Sequence, residues 1–425
     1  MNLEVVTIGT ELLLGHTIDT NAADLCRALT SVGALVVRKT TIGDDPAEIH
    51  AAVAGALERT GFVITTGGLG PTRDDVTKRA VARLFGVALV VNDDYLDRLE
   101  RRWRDLGRRG PMPEANRTQA EVPAGATILP NPRGTAPGLW LEGKPGVAVL
   151  LPGVPHEMRG LVADEVAPRL ARRVGADRVT VSRVLRTTGI AESALADRLR
   201  HTEPELDSVT LAYLPTLPGV DLRITAWSVP AQEAGRMLDR AADILRKAVG
   251  TPYYGEEGAD LAAVVVERLR NRGICLAVAE SCTGGLVGGR ITAVPGASTV
   301  FAGGVIAYAD EVKIRELGVA ESVLAEHGAV SEAAVVAMAR GVAARFGTRA
   351  AVAVSGIAGP GGGTADKPVG TVWIAGLVAG SERVVRVGLP GDRYEIRARA
   401  AQSSLDVLRR LLGRDDRESR GSPNG

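Results

Sequence analysis

The chain has 425 residues, 45% of them hydrophobic, and carries 51 basic against 50 acidic side chains. At roughly 100–200 residues per domain, this length implies about two to four folded units, and the near-neutral balance excludes a chain-wide basic field for nucleic acid or membrane. No apolar run approaches the ~20 residues that span a bilayer, and Cys26, Cys275 and Cys282 have neither metal-type spacing nor the even count of a disulfide framework. A reducing, cytoplasmic setting without a membrane partner is therefore expected.

From Leu3 onward strands and helices alternate: "LEVVTI", a helix from about Asn21 to Gly33, "ALVVRKT", a helix opened by Asp45-Pro46, then "FVITT". This alternation predicts an α/β domain over residues 1–172 with a doubly wound, mainly parallel sheet, although residues 107–138 read as loop. Ligands of such sheets bind beyond the strand C-termini, where "TIGTE", "TTGGLGPTRDD" and "LPGVPHE" fall. Gly67, Gly68, Gly70 and Thr72 are placed to cradle a phosphate. Asp74 and Asp75, with Glu11 or Asp44, are the expected ligands of a hydrated divalent ion; the alternative is a capped helix start near Asp75. "PHEM" at 155–158 lacks the second His of a zinc protease motif.

Residues 176–252 change order to strand, helix (190–201), strand, strand, helix (231–249), a small α+β unit. Residues 258–413 form a third unit: helix, strand 274–279, helix, strand 299–308, several helices to Phe346, strand 350–354, a Gly-rich turn, two strands, and a helix from about Arg393. The polar tail 414–425, "RDDRESRGSPNG", is expected to be disordered.

The third unit holds the sharpest motif, "AESCTGG" at 279–285. A serine at a strand-to-helix turn is either a helix cap or a nucleophile beside free backbone N–H groups. Cys282 reads as a small buried apolar residue. Only six basic residues are lysine, so Arg supplies most positive charge. Lys313 in "YADEVKI" is then either a solvated helix lysine or a general base, a role Arg cannot fill because it keeps its proton. His327, the only histidine of this unit, is another possible proton acceptor. The turn "SGIAGPGGG" at 355–363 lets backbone approach a ligand closely.

Taken together, "AESCTGG", "GGVIAYADEVK", "HGAVSE", "SGIAGPGGG", "PVGTVW" and "GDR" resemble the C-terminal domain of the CinA (competence/damage-inducible protein A) family, which is similar to stand-alone nicotinamide mononucleotide amidases. "GTELLLGHTIDTNA", "TTGGLGPTRDDVT", "NPRGTAPG" and "LPGVPHEM" resemble the family's N-terminal domain, related to molybdopterin-binding proteins. The likeness covers nearly the whole chain. The middle unit resembles the family's KH-like domain but lacks the G-x-x-G loop that clamps RNA, so a structural role is expected.

The resemblance implies hydrolysis of nicotinamide mononucleotide to nicotinate mononucleotide and ammonia, without a cofactor, through Ser281 as nucleophile and Lys313 as base. It places Tyr308 and Ser355 at the catalytic site and Thr283, Gly284, Gly285, Gly356 and Arg393 against the substrate, Arg393 at the ribose phosphate. The glycines after Ser281 are expected to free their N–H groups for the carbonyl or phosphate. Metal-dependent ADP-ribose pyrophosphatase activity in the N-terminal domain and a homodimer are further expectations. The competing readings are a nucleotide- or pterin-binding module without turnover and a competence-related nucleic-acid partner; neutral charge weighs against the latter.

Overall fold

The computed structural model describes residues 1–418 apart from 109, 176, 177, 207 and 208, and only the backbone of 414–418. Its contacts divide the chain into two compact units, residues 1–181 with 226–236, and residues 182–225 with 237 onward. The small α+β segment expected as a separate unit is thus shared between the two.

In the N-terminal domain the strands are β1 (Asn2–Ile8), β2 (Leu35–Ile42), β3 (Phe62–Thr66), β4 (Leu89–Val91), β5 (Glu121–Pro123), β6 (Thr127–Leu129), β7 (Gly138–Gly143) and β8 (Gly146–Leu151). Six form one sheet in the order β2-β1-β3-β8-β7-β6. The first four run parallel, as the alternation predicts, and the β6–β7 edge is antiparallel. One apolar layer packs the helix Thr20–Ser31 and the helical segments after Pro155 on one face; a second packs Pro46–Thr60 and Thr77–Leu84 on the other. Strands β5 and β6, and the helix Glu114–Arg117, lie inside the stretch read as loop. Elements of three or four residues are too short to show a period.

The middle sheet has the order β10-β11-β9-β12, from β9 (Arg178–Thr187), β10 (Thr210–Pro215), β11 (Val220–Pro230) and β12 (Tyr253–Glu256). Strand β12 has no counterpart in the sequence reading. It pairs antiparallel with β9, Tyr253 opposite Thr187, and continues into the C-terminal domain.

There the strands are β13 (Leu276–Glu280), β14 (Phe301–Ile306), β15 (Ala350–Gly356), β16 (Thr371–Val378) and β17 (Ser381–Gly388), ordered β14-β13-β15-β16-β17. The first three are mutually parallel and the last two antiparallel. Alternation along β13 sends Leu276 and Val278 toward the helices Leu261–Arg272, Leu286–Thr292 and Arg393–Glu418, and Ala277 and Ala279 toward the helix Glu332–Phe346. The alanines let that helix lie close, and a Cβ on Gly341 would come within 1.8 Å of the Leu317 carbonyl oxygen. Since β13 connects to β14 over one face and β14 to β15 over the other, the chain reverses winding about β13, at the C-terminal edge of β13 and β15. That is the usual place for a ligand crevice.

The last helix runs to Glu418, five residues into the segment expected to be disordered, because an established helix extends at little cost; residues 419–425 lie outside the described residues. Its Arg409, 5% exposed, pairs with Asp406 at 2.6 Å and donates to the carbonyls of Thr251 (2.7 Å) and Tyr253 (3.0 Å). This ties the C-terminal helix to β12. Removing one member of a buried ion pair costs about 3–5 kcal/mol. Arg409→Met should therefore lower the melting temperature of the C-terminal unit by several degrees in calorimetry, while Arg410→Met, at a less buried partner of the same aspartate, shifts it less.

Candidate functional site

Ser281 directly follows β13. Its N–H donates to the Val354 carbonyl of β15 (2.9 Å), and the Ala307 N–H of the segment after β14 donates to the Glu280 carbonyl (2.8 Å). The three parallel strands therefore end together, with Ser281, Tyr308 and Ser355 on one sheet edge. By strand parity Ser281 continues the Ala277–Ala279 face, the side on which Ser355 and the helix Asp310–Leu317 lie.

The Ser281 turn is held by two charged side chains that the sequence reading did not single out. Glu280 is 2% exposed, and its carboxylate accepts the N–H groups of Gly285 (2.9 Å), Val287 (3.1 Å) and Gly288 (2.8 Å) at the start of the helix Leu286–Thr292. Arg397, from the last helix, donates to the carbonyls of Cys282 (3.1 Å) and Thr283 (2.8 Å). The glycine expectation is corrected here. The Gly285 N–H is bound by Glu280 and the Gly284 N–H by the Ser281 carbonyl (3.1 Å), so neither is free for a substrate oxygen. What the turn requires of both is left-handed backbone, φ +58° at Gly284 and +95° at Gly285.

Cys282 is buried, and desolvation pushes its thiol up to about 12. It stays a neutral thiol near neutrality, packed in the apolar layer of the domain, which fits the apolar reading. Thr283 is fully buried and its Oγ1 has no hydrogen-bond partner among the described residues.

Lys313 is not a solvated helix lysine: it is 1% exposed, and its Nζ donates to the Tyr308 carbonyl (3.2 Å) and to Asp310 (2.9 Å). Among the described residues it makes no hydrogen bond to Ser281, whose own Oγ is unbonded. His327 lies on an exposed helix end, where its carbonyl accepts from Lys367 (2.9 Å). Ser355, buried, donates to the Ala329 carbonyl (2.7 Å), and a Cβ on Gly356 would meet Val372 at 2.6 Å, so these two positions pack the strand against its neighbours.

Arg393 donates to the Gly359 carbonyl (2.6 Å) and to the Tyr308 hydroxyl (2.8 Å). With Arg397, Tyr394, Val369 and the Ala358–Pro360 segment it lines a cleft of about 610 Å³. Through Arg397 this cleft abuts the Ser281 turn, and through Arg393 it abuts Tyr308.

In the N-terminal domain Glu11 and Asp75 line different cavities. Glu11 lines a small cavity of about 100 Å³ at the ends of β1, β3 and β8. The same cavity is lined by Asn21, whose Nδ2 donates to Thr66 (3.0 Å) and Gly153 (2.7 Å) and whose buried Oδ1 has no partner among the described residues. Asp44 accepts from the N–H and hydroxyl of Thr10, and Asp75 from the N–H and hydroxyl of Thr72. Thr72 thus has its donors committed within the loop. A Cβ on Gly67 would lie 2.0 Å from the Ile8 carbonyl oxygen, on Gly68 2.1 Å from Thr77, and on Gly70 2.5 Å from Asp75. These glycines are required by the loop's own packing. Among the described residues no three His, Cys, Asp or Glu side chains are grouped to hold a metal ion. Glu11, Asp44, Asp74 and Asp75 therefore do not fit a single ligand set.

Among the described residues no helix is long and apolar enough to cross a membrane. Three family descriptions match the chain: a probable molybdopterin binding domain over residues 4–172, the damage-inducible protein CinA KH domain over 182–255, and the CinA C-terminal domain over 258–412. A CinA-like protein of Gemmatimonas aurantiaca is 55% identical over 418 residues, 98% of this chain and 97% of its own. A CinA-like protein of Frankia casuarinae is 44% identical over 97% of this chain and 96% of its own. A crystal structure of a CinA superfamily protein from Klebsiella pneumoniae is 36% identical, spanning 36% of this chain and 96% of that one, with a TM-score of 0.35. With these three domains in order and relatives alike from end to end, the chain belongs to the CinA family.

Proposed function

We propose that the C-terminal domain hydrolyses the amide of nicotinamide mononucleotide, giving nicotinate mononucleotide and ammonia. The observation that carries this reading is a serine at the sheet edge whose Oγ makes no hydrogen bond among the described residues, a buried lysine on the helix that follows the neighbouring strand, and a cleft with two arginines beside the turn. A serine hydroxyl needs a base to attack an amide. Lys313, the lysine buried in this domain, is given that role, and Cys282 packs into the apolar layer on the other face of the sheet.

In this reading Ser281 Oγ adds to the amide carbonyl carbon while Lys313 takes its proton. The proton passes to the departing ammonia as the C–N bond breaks, leaving an ester on Ser281 that water then cleaves. Glu280 and Arg397 hold the turn that presents Ser281, acting as positioning residues. Arg393, fixed by Tyr308 and Gly359, supplies charge for the ribose phosphate, and phosphate recognition by a guanidinium is favoured by its forked donors. Tyr308 acts through Arg393 in this account. For the N-terminal domain, hydrolysis of ADP-ribose rests on the family likeness alone, and no step is assigned to a metal there.

Ammonia release from nicotinamide mononucleotide by the purified chain tests the reading; tight binding without release would leave a nucleotide-binding module instead. Ser281→Ala should lower kcat at least about a thousandfold, as removal of a nucleophile does, with Cys282→Ala changing it less than about threefold; the reverse ranking would give the reaction to the thiol. Lys313→Arg keeps the charge, but a guanidinium with a pKa above ~12 cannot accept the serine proton. Its ammonia release should be as low as that of Lys313→Ala, and substantial activity in the Arg variant would make Lys313 an electrostatic contact only. Arg393→Ala should raise KM for nicotinamide mononucleotide about tenfold or more, the loss of a charge-assisted contact, while leaving the rate with the unphosphorylated nucleoside unchanged.

A further inference from the structure

Of the six lysines, Lys39, Lys144 and Lys247 are exposed and Lys367 is half-buried, whereas Lys313 and Lys78 are 1% and 5% exposed. Lys313 has a place in the amidase reading. Lys78 has none. It stands in the first turn of the helix Thr77–Leu84, immediately after the Gly-rich loop, and its Nζ donates to the Thr118 carbonyl at 2.7 Å. Among the described residues that neutral oxygen is its one hydrogen-bond partner.

A buried ammonium without a bonded carboxylate is costly relative to the neutral amine. Burial brings Lys78 down to about 8; Glu121 and Asp75 pull it upward and Arg79 pushes it further down. Lys78 lines a cavity of about 310 Å³, separate from the small cavity at the ends of β1, β3 and β8, together with the Gly70–Arg73 loop, Asp75, Arg79, Glu114, Thr118 and Glu121. Cavities of ~300 Å³ and above accommodate small metabolites. Arg73 and Arg79 are exposed at its rim, where they can meet a phosphate without the burial that Lys78 has undergone. In a chain that uses Arg for nearly every positive charge, a buried Lys supplies the one thing Arg does not, a lone pair on nitrogen.

We propose that this cavity is a second ligand site of the N-terminal domain, taking small phosphorylated aldehydes or ketones and holding them as a Schiff base on Lys78. The neutral amine adds its lone pair to the carbonyl carbon, and the carbonyl oxygen takes up a proton. The resulting carbinolamine loses that oxygen as water, with Glu121 as the carboxyl group that moves the proton, and C=N replaces C=O. One water leaves for each imine formed, and no oxidant or reductant enters.

Pyridoxal 5′-phosphate, a phosphorylated aldehyde, is the probe. The full-length chain is titrated with it, the imine is fixed by borohydride, and the modified lysine is located by peptide mass mapping. The site predicts one adduct per chain, on Lys78, at probe concentrations that leave Lys39, Lys144 and Lys247 unmodified. Inorganic phosphate should compete, and joint replacement of Arg73 and Arg79 by Ala should raise the half-saturating concentration about tenfold, ~1.4 kcal/mol of lost binding. Lys78→Arg should abolish the adduct with the melting temperature retained. If that variant does not fold, the wild-type map still decides. Modification spread over the exposed lysines with Lys78 untouched would overturn the proposal, as would a Lys78 adduct indifferent to phosphate and to both arginines.

Discussion

The carboxylate of Glu280 fixes the geometry on which the C-terminal site depends. A helix start presents unpaired N–H groups and a partial positive charge, and in a strand-to-helix turn those groups would otherwise be the natural seat of an anion. Here the chain supplies its own: Glu280, at the last position of β13, turns back to take three N–H groups of the following helix. Because the carboxylate is buried, losing it would leave three donors unmet at once, each costing of order 1 kcal/mol or more. The turn is therefore locked from the strand side by Glu280 and from the last helix by Arg397, and Ser281 stands between the two anchors.

That lock has a consequence for recognition. With the helix start neutralised from within, the positive charge available to an anionic ligand is on side chains, and the guanidinium groups of Arg393 and Arg397 border the cleft beside the turn. The two arginines are four residues apart on one helix, so they share a face. One is spent on the turn's carbonyls and the other is braced by Tyr308 and Gly359. In the proposed function, a substrate phosphate and its scissile amide would then be oriented by the same helix that holds the Ser281 turn, and binding and positioning would be coupled through Arg397.

The layered α/β domains were legible in the sequence because long strands and helices leave periodic traces, and the motif strings carried the family. Ser281 and Lys313 stood out for different reasons, the serine for its strand-to-helix turn and the lysine for its rarity beside so many arginines, while the roles proposed for them came from the family resemblance. Arg397 was not, because its partners lie more than a hundred residues away and one arginine among many carries no signal. Glu280 was hidden as the last residue of an apolar run, where nothing local says which way its carboxylate points. The N-terminal acids show the opposite failure: Asp74 and Asp75 are adjacent in sequence, yet loop hydrogen bonds to Thr72 occupy Asp75, and Asp44 is tied to Thr10. Adjacency does not make a ligand set. Strand β12 was too short to read, and with it went the buried Arg409 network that joins it to the last helix.

The most direct measurement is to quench the chain in acid during turnover of nicotinamide mononucleotide and look for the acyl group by peptide mass mapping. The account predicts a nicotinate mononucleotide ester on the oxygen of Ser281, present in the wild type and undiminished in Cys282→Ala. Ammonia release with no covalent intermediate, or an adduct confined to Cys282, would contradict it.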